Sequence, residues 1–123
     1  MKIIPKSWGR ELILENGQYC MKLLEYTKPI ASSLHYHNEK LESFYVASGR
    51  FEIEIGSYEM GMSDEGYIVA SPVQTIQNFS AGSFITLPPR THHRVRCIEP
   101  GVIVEASTHD DPEDCVRLVP SET

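Results

Sequence analysis

The sequence predicts an all-β fold, a single barrel or sandwich of short antiparallel strands. Short apolar segments alternate with turns that are rich in glycine and proline. The clearest segment places Phe51, Ile53 and Ile55 on one face and Glu52 and Glu54 on the other, as in a half-buried strand. No segment keeps the 3.6-residue apolar period of an amphipathic helix.

Residues 1–18 are predicted to form a loose N-terminal arm. Arg10–Leu14 is a candidate edge strand, and Asn16-Gly17 is a hairpin turn signal. Trp8 is expected to anchor the arm on a neighbouring sheet, in this subunit or in another.

The remaining strands follow from the same pattern. They are Tyr19–Tyr26, Ser32–His37, Leu41–Ala47, Arg50–Ser57, Tyr67–Ala70, Thr75–Phe79, Phe84–Leu87, His93–Ile98 and Gly101–Ala106. Residues 56–66 are glycine-rich and polar, so a loop is expected there, and Ser71-Pro72 should break the strand pattern. Asp111 followed by Pro112 predicts a short C-terminal helical turn.

Composition excludes several classes of protein. The 123 residues suffice for one domain, and the formal net charge of −6 argues against a nucleic-acid binder. No apolar run approaches the ~20 residues that span a bilayer, and the first residues do not read as a signal peptide. Cys20, Cys97 and Cys115 cannot all pair within the chain, so reduced thiols and a cytoplasmic location are expected.

Residues 33–49 contain a candidate metal site. His35 and His37 are two residues apart, so in a strand their rings project from the same face, about 6–7 Å apart along the backbone. Glu42 lies at an odd offset from His37, and a turn at the polar residues 38–40 would redirect its carboxylate toward the two rings. Two imidazoles and a carboxylate form a ligand set for Zn, Ni, Fe or Mn.

A fourth ligand is expected from a second segment, residues 82–93. It contains a glycine turn, a short apolar strand, a proline-stiffened loop and the pair His92-His93. Either histidine would complete a site with three imidazoles and one carboxylate.

These segments resemble the two motifs of the cupin superfamily. Motif 1, residues 30–49, matches at His35, His37, Glu42 and Gly49, although its leading glycine is absent. Motif 2, residues 82–97, is matched by Gly82, Pro88 and His93, which favours His93 over His92 as the ligand. Arg90 replaces its inner glycine, and Cys97 stands where asparagine is usual. The resemblance implies one cupin domain over residues 1–123, a double-stranded β-helix or jelly-roll barrel.

Within that superfamily the chain resembles the mannose-6-phosphate isomerase type. Lys6-Ser7-Trp8-Gly9 resembles a kPWG element, residues 33–37 resemble SLQyH, and residues 113–118 resemble an EDivRl ending. His35 takes the place of a glutamine that is a metal ligand in that family. A further difference is the long spacing between the motifs, which an extra loop or hairpin at residues 57–73 would explain.

The resemblance implies a metal-assisted aldose–ketose isomerase that moves a proton between adjacent carbons of a sugar or sugar phosphate. Glu39 and a metal-bound hydroxide are the candidate bases. Arg90, with a planar donor fork suited to phosphate, and Lys40 are candidate substrate-binding residues.

Two alternatives stay open. A site of three histidines and one carboxylate also suits an Fe-dependent dioxygenase, and a small cupin can bind a sugar or regulate a partner without catalysis. The apolar residues of the arm, Trp8 and Leu12-Ile13-Leu14, predict a homodimer.

Overall fold

The computed structural model describes residues 1–123 as eleven strands and one 3₁₀ turn. The strands are β1 (Lys2–Lys6), β2 (Gly9–Asn16), β3 (Tyr19–Tyr26), β4 (Leu34–His37), β5 (Glu42–Val46), β6 (Arg50–Met62), β7 (Ile68–Ser80), β8 (Phe84–Leu87), β9 (His92–Glu99), β10 (Gly101–Thr108) and β11 (Cys115–Val119). The turn spans Pro112–Asp114 and is capped by the Asp111 side chain, as the sequence predicts. This turn is the only helical segment, so no helix of the chain could cross a membrane.

The strands form two sheets that face each other. One sheet has six strands in the order β1-β2-β3-β10-β5-β8, and the other has five in the order β11-β4-β9-β6-β7. Every pairing between these strands is antiparallel. The predicted all-β jelly roll is therefore confirmed.

One apolar core fills the space between the sheets. Phe51 and Ile53 reach it from the five-stranded sheet, and Val46 and Ile103 reach it from the other sheet; all four are at most 1% exposed. The alternation that predicted β6 places its apolar residues inward, because successive side chains of a strand point to opposite faces.

The predicted loose arm is wrong. Residues 2–16 form β1 and β2, which extend the six-stranded sheet through pairing with β3. Trp8 is only 4% exposed and stacks on Tyr26 with 4.1 Å between ring centroids. Trp8 and Leu12 therefore belong to the chain's own buried interior, while Ile3 and Leu14 of the same segment are exposed.

The predicted loop at residues 56–66 is wrong for residues 56–62, which are strand, and only residues 63–67 form a turn; the predicted break at Ser71-Pro72 is also wrong. β6 and β7 each run for 13 residues and form a long hairpin, which accounts for the extra length between the motifs. Pro72 is tolerated because β7 is an edge strand, where a missing backbone donor need not break a ladder. The glycines and polar residues of this segment obscured the alternation of residue types that predicts a strand.

Gly49 closes the turn between β5 and β6. Its φ of +85° is a left-handed conformation, and a Cβ there would lie 2.7 Å from the Glu99 carbonyl oxygen. Both facts require glycine at this position.

Candidate metal centre

The metal-site residues lie where the chain passes from one sheet to the other. His35 and His37 are on β4 of the five-stranded sheet, and Glu42 begins β5 of the six-stranded sheet. Glu42 lies at an odd offset from His37, but the turn between them connects the two sheets, so Glu42 faces β4 from the opposite sheet. His93 on β9 pairs in register with His35.

The four side chains converge. Their candidate ligand atoms all lie within 4.8 Å of one another. The ring centroid of His35 is 5.1 Å from that of His37 and 4.4 Å from that of His93. Glu42 Oε1 lies 2.8 Å from His93 Nε2 and 3.8 Å from His37 Nε2.

Hydrogen bonds hold two of the imidazole rings. His93 Nδ1 donates to the Thr91 carbonyl at 3.0 Å, and because a carbonyl only accepts, His93 Nε2 keeps a lone pair. His35 Nδ1 lies 3.1 Å from the Ser33 carbonyl and 2.9 Å from the Ser33 hydroxyl, which can donate or accept. Support of this kind behind a ligating histidine is usual in metal sites.

The buried polar atoms fit a cation. Glu42 Oε1 and His93 Nε2 lie 2.8 Å apart with no hydrogen bond between them, and neither has another hydrogen-bond partner. A cation among them would satisfy lone pairs that are otherwise costly to bury. The donor set of three nitrogens and one carboxylate oxygen suits a divalent transition metal.

The protonation states also favour metal binding. Burial, together with the neighbouring His93 and His37, lowers the pKa of His35 to about 3, and burial lowers the pKa of His37. Burial opposes ionisation of Glu42, but His93, Lys40 and His37 outweigh it and hold the Glu42 pKa well below its ordinary value. Neutral imidazoles and an ionised carboxylate are the ligand forms of these residues.

A cavity of about 520 Å³ adjoins the cluster. His35, His37 and Glu42 form part of its wall, and strands β1, β2, β3, β10 and β11 supply much of the rest. From β11, the side chains of Cys115 and Arg117 line it. The volume is in the range of small-molecule sites.

A chain of ion pairs runs through this cavity away from the metal-site residues. Lys40 Nζ lies 3.2 Å from Glu42 Oε2, 2.8 Å from Glu105 Oε2 and 3.0 Å from Asp110 Oδ1. Lys22 Nζ continues the chain, at 2.9 Å from Asp110 and 3.2 Å from Glu11. Charged side chains in this number lining one cavity point to a polar ligand.

Of the other sequence-predicted site residues, Lys40 reaches the cluster, whereas Glu39 and Arg90 do not. Lys40 lines the cavity, but it is 3% exposed and fully engaged by carboxylates, so it is not the free loop cation that was expected. Glu39 is exposed and lines a separate surface depression. Arg90 does not line the cavity, and its left-handed φ of +65° explains why glycine suits this position.

His92 points away from the cluster. Its ring stacks on Tyr36, at 4.7 Å between centroids, and meets the edge of Tyr58. The adjacent His93 faces inward and is 2% exposed. The structure thus places His93, rather than His92, beside the other three candidate ligands.

Sequence reasoning missed most of the cavity wall. Lys22 occupies an inward position of β3, between the buried Cys20 and Leu24, and Glu105 occupies one on β10 beside Ile103. A charged residue at an apolar position of a period-two pattern is the signal that could have revealed them. No comparable signal marks Asp110 or Arg117.

Known structures share this architecture. KdgF from Halomonas sp. aligns with a TM-score of 0.64 and 17% identity over 85% of this chain and 81% of its own. Oxalate decarboxylase from Lactobacillus farciminis, solved with formate, aligns with a TM-score of 0.72 and 17% identity over 95% of this chain but 33% of its own. The Bacillus subtilis oxalate decarboxylase, with 22% identity and a TM-score of 0.68, is covered over 30% of its length.

At these identities the comparison establishes the fold alone, and the chain spans about a third of the decarboxylases. No protein-family model and no curated protein matches the chain. The observed fold and the four converging side chains agree with the two motifs found in the sequence. The chain has the jelly-roll fold of the cupins, and it carries a group of three histidines and one glutamate that could hold a divalent metal ion.

Proposed function

We propose that this protein is a metal-dependent isomerase of a sugar or sugar phosphate. The observation that carries the proposal is the convergence of His35, His37, Glu42 and His93, the first three of which line a polar cavity large enough for such a molecule. The sequence resemblance to the mannose-6-phosphate isomerase type supports the substrate class.

In this proposal the four residues hold the metal, which would polarise a carbonyl oxygen of the substrate. The ammonium of Lys22 and the carboxylates of Glu11 and Asp110 line the cavity and can hydrogen-bond to sugar hydroxyls. Glu105 is the buried carboxylate best suited to exchange a proton with a substrate carbon, because it lines the cavity and burial raises its pKa.

Activity assays with matched variants test the proposal. Purified protein is loaded with Mn, Zn, Ni or Fe and assayed with a panel of aldoses, ketoses and their phosphates. The Mn(II) centres of the Bacillus subtilis oxalate decarboxylase make manganese the first choice. We expect isomerisation that is lost in His37→Ala and kept in His92→Ala, and loss in Glu105→Gln without loss of metal.

Non-catalytic sugar binding is the second candidate. Each carboxylate of the cavity wall, Glu105 included, lies within 4.0 Å of a cation, an arrangement that favours binding over proton transfer. Metal loading with no turnover of any substrate, together with a sugar-induced rise in melting temperature, would support this candidate over the isomerase.

We propose further that the protein is a homodimer that pairs through the β6–β7 hairpin. In the outer half of the hairpin one face is largely apolar, formed by Tyr58, Met60, Met62, Ile68, Ala70 and Pro72. Met60 is 69% and Ile68 is 73% exposed. A two-stranded ribbon is marginally stable alone, and the free edge of β7 can pair with a second β7 about a two-fold axis.

Sedimentation velocity tests the dimer. We expect the double variant Met60→Ser/Ile68→Ser to sediment as a monomer and Glu59→Ser, on the opposite hairpin face, to sediment as the wild type. A wild-type monomer at tens of micromolar protein would refute the pairing.

A further inference from the structure

We propose that Arg117 is an anion-binding residue of the cavity and that it recognises a carboxylate or phosphate group on the ligand. The inference rests on the proposed function only in taking this cavity as the ligand site. It moves the anion-recognition role from Arg90, which lies outside the cavity lining, to the C-terminal strand.

The position of Arg117 follows from strand register. β11 pairs with β4, so that Arg117 lies opposite His35 and Cys115 lies opposite His37. Side chains directly opposite each other in an antiparallel pair project from the same face. Arg117 therefore lies beside His35, a candidate metal ligand, on the side of the sheet that faces the cavity. Arg117 is itself one of the residues that line the cavity.

Arg117 has no carboxylate partner. Arg10, Arg50, Arg94 and Arg96 each have a carboxylate oxygen within 4.0 Å. Of the two remaining arginines, Arg90 and Arg117, only Arg117 lines the cavity. An arginine that is exposed at a cavity and unpaired offers its planar donor fork to an incoming group with two coplanar oxygens.

The charge balance of the cavity points the same way. Its wall contains equal numbers of cationic and anionic side chains: Lys6, Lys22, Lys40 and Arg117 against Glu11, Glu42, Glu105 and Asp110. A divalent ion at the four-residue cluster would add two positive charges to this neutral set. A cavity with surplus positive charge and low-dielectric walls attracts an anion.

Calorimetric titration of the full chain, metal-free and metal-loaded, tests the inference with three probes. Mannose 6-phosphate and glucuronate carry the two candidate anionic groups, and mannose carries neither. We expect Arg117→Gln to weaken binding of an anionic probe about tenfold to a hundredfold, the range for one charge-assisted contact. Arg117→Lys should restore part of the loss, and the matched control Arg90→Gln should bind as the wild type.

The pattern of losses decides the outcome. A loss for the phosphate alone, for the carboxylate alone or for both supports the inference and identifies the group. Equal affinity of Arg117→Gln and wild type for both anions overturns it, as does an equal loss for mannose. Metal content, measured in the same samples, separates the two proposals: a wild type that takes up no metal defeats the proposed function, while anion binding that depends on Arg117 stands.

Discussion

Lys40 is a lysine with almost no contact with solvent. Its ammonium lies among the carboxylates of Glu42, Glu105 and Asp110, one of which belongs to the metal-site cluster. Burial alone would lower its pKa, but these carboxylates outweigh burial and raise the Lys40 pKa above its ordinary value. Lys40 is therefore charged at neutral pH, and it contacts Glu42 through Oε2, whereas the histidines lie near Oε1.

Replacing Lys40 by methionine should strongly destabilise the metal-free protein. The change removes the cation beside the buried carboxylates of Glu42 and Glu105, and breaking a buried pair in this way costs about 3–5 kcal/mol of unfolding free energy. Urea denaturation at pH 7 measures it. Lys28→Met, at an exposed lysine with no ion pair, should change the free energy by less than about 0.5 kcal/mol.

The double variant Lys40→Met/Glu105→Gln should recover part of this loss, because it removes one of the unpaired charges. Equal stability of Lys40→Met and wild type would contradict the ion-pair account.

Asp110 should make stability depend on pH. Burial opposes its ionisation, but Lys22 and Lys40 outweigh burial and lower its pKa to about 2, from an ordinary 3.8. Because the native pKa is the lower one, the stabilisation is present above about pH 4 and is lost as the pH falls toward 2. Allowing for partial solvent screening, the contribution is about 1 kcal/mol.

Urea denaturation of wild type and Asp110→Asn between pH 2 and 6 checks this expectation. The difference in unfolding free energy should narrow as the pH falls, whereas the difference for Asp64→Asn, at the exposed hairpin tip, should stay constant. A wild-type advantage over Asp110→Asn that is independent of pH would contradict the pairing of Asp110 with the two lysines.

Among the elements, the turn between β4 and β5 decides whether a site forms. Asp114 is the last residue of the 3₁₀ turn, and its carboxylate accepts hydrogen bonds from the backbone N–H groups of Glu39 and Lys40 at 3.0–3.1 Å. The Asp114 carbonyl accepts another from Asn38. The C-terminal segment thus holds the turn that presents both Lys40 and Glu42 to the cavity.

Asp114→Ala should loosen this turn and weaken metal binding. Loss of a supporting contact behind a metal ligand typically costs about tenfold or more in affinity. Competition with a metal-sensitive dye measures the dissociation constant. The neighbouring Glu113→Ala removes an exposed carboxylate with no ion pair and should bind metal as the wild type does. Unchanged affinity in Asp114→Ala would mean that the turn holds its shape without this side chain.

Elements with a clean period of two could be predicted from the sequence. The bounds of β3 and β8 agree with the structure to the residue, and the Asp111-capped turn is where it was expected. For residues 57–73 the sequence left a loop and a hairpin open, and it did not show the length of the two strands, because they run beyond the rest of the sheet. There, neither face must be buried and glycine and proline are tolerated.

At the scale of the whole molecule, only part of the site could be read from the sequence. His35, His37 and Glu42 lie close together in the sequence, so their convergence could be predicted from the geometry of one strand and one turn. Lys22, Glu105 and Asp110 meet Lys40 only because β3 and β10 pair in the sheet that faces β4. Contacts between segments so far apart follow from topology, which a single sequence specifies only through the complete fold.

Metal binding should stabilise the molecule as a whole. A ligand present at 100 times its dissociation constant adds about 2.7 kcal/mol to the unfolding free energy. For a chain of this size that corresponds to a rise in melting temperature of about 10 °C. Differential scanning calorimetry with and without metal measures it. His37→Ala should show no rise, His92→Ala should show the full rise, and a chelator should reverse it; an equal rise in His37→Ala would place the ion elsewhere.

Cys115 allows a thiol reagent to be attached covalently at the cavity wall. Its thiol is the single sulfur in the cavity wall, since Cys20 and Cys97 lie buried elsewhere. Burial raises the Cys115 pKa, so alkylation should be slow at neutral pH and faster in mild alkali. The rate at which a small maleimide reacts with Cys115 would show whether the cavity is empty or holds a ligand. The identity of the natural ligand need not be known.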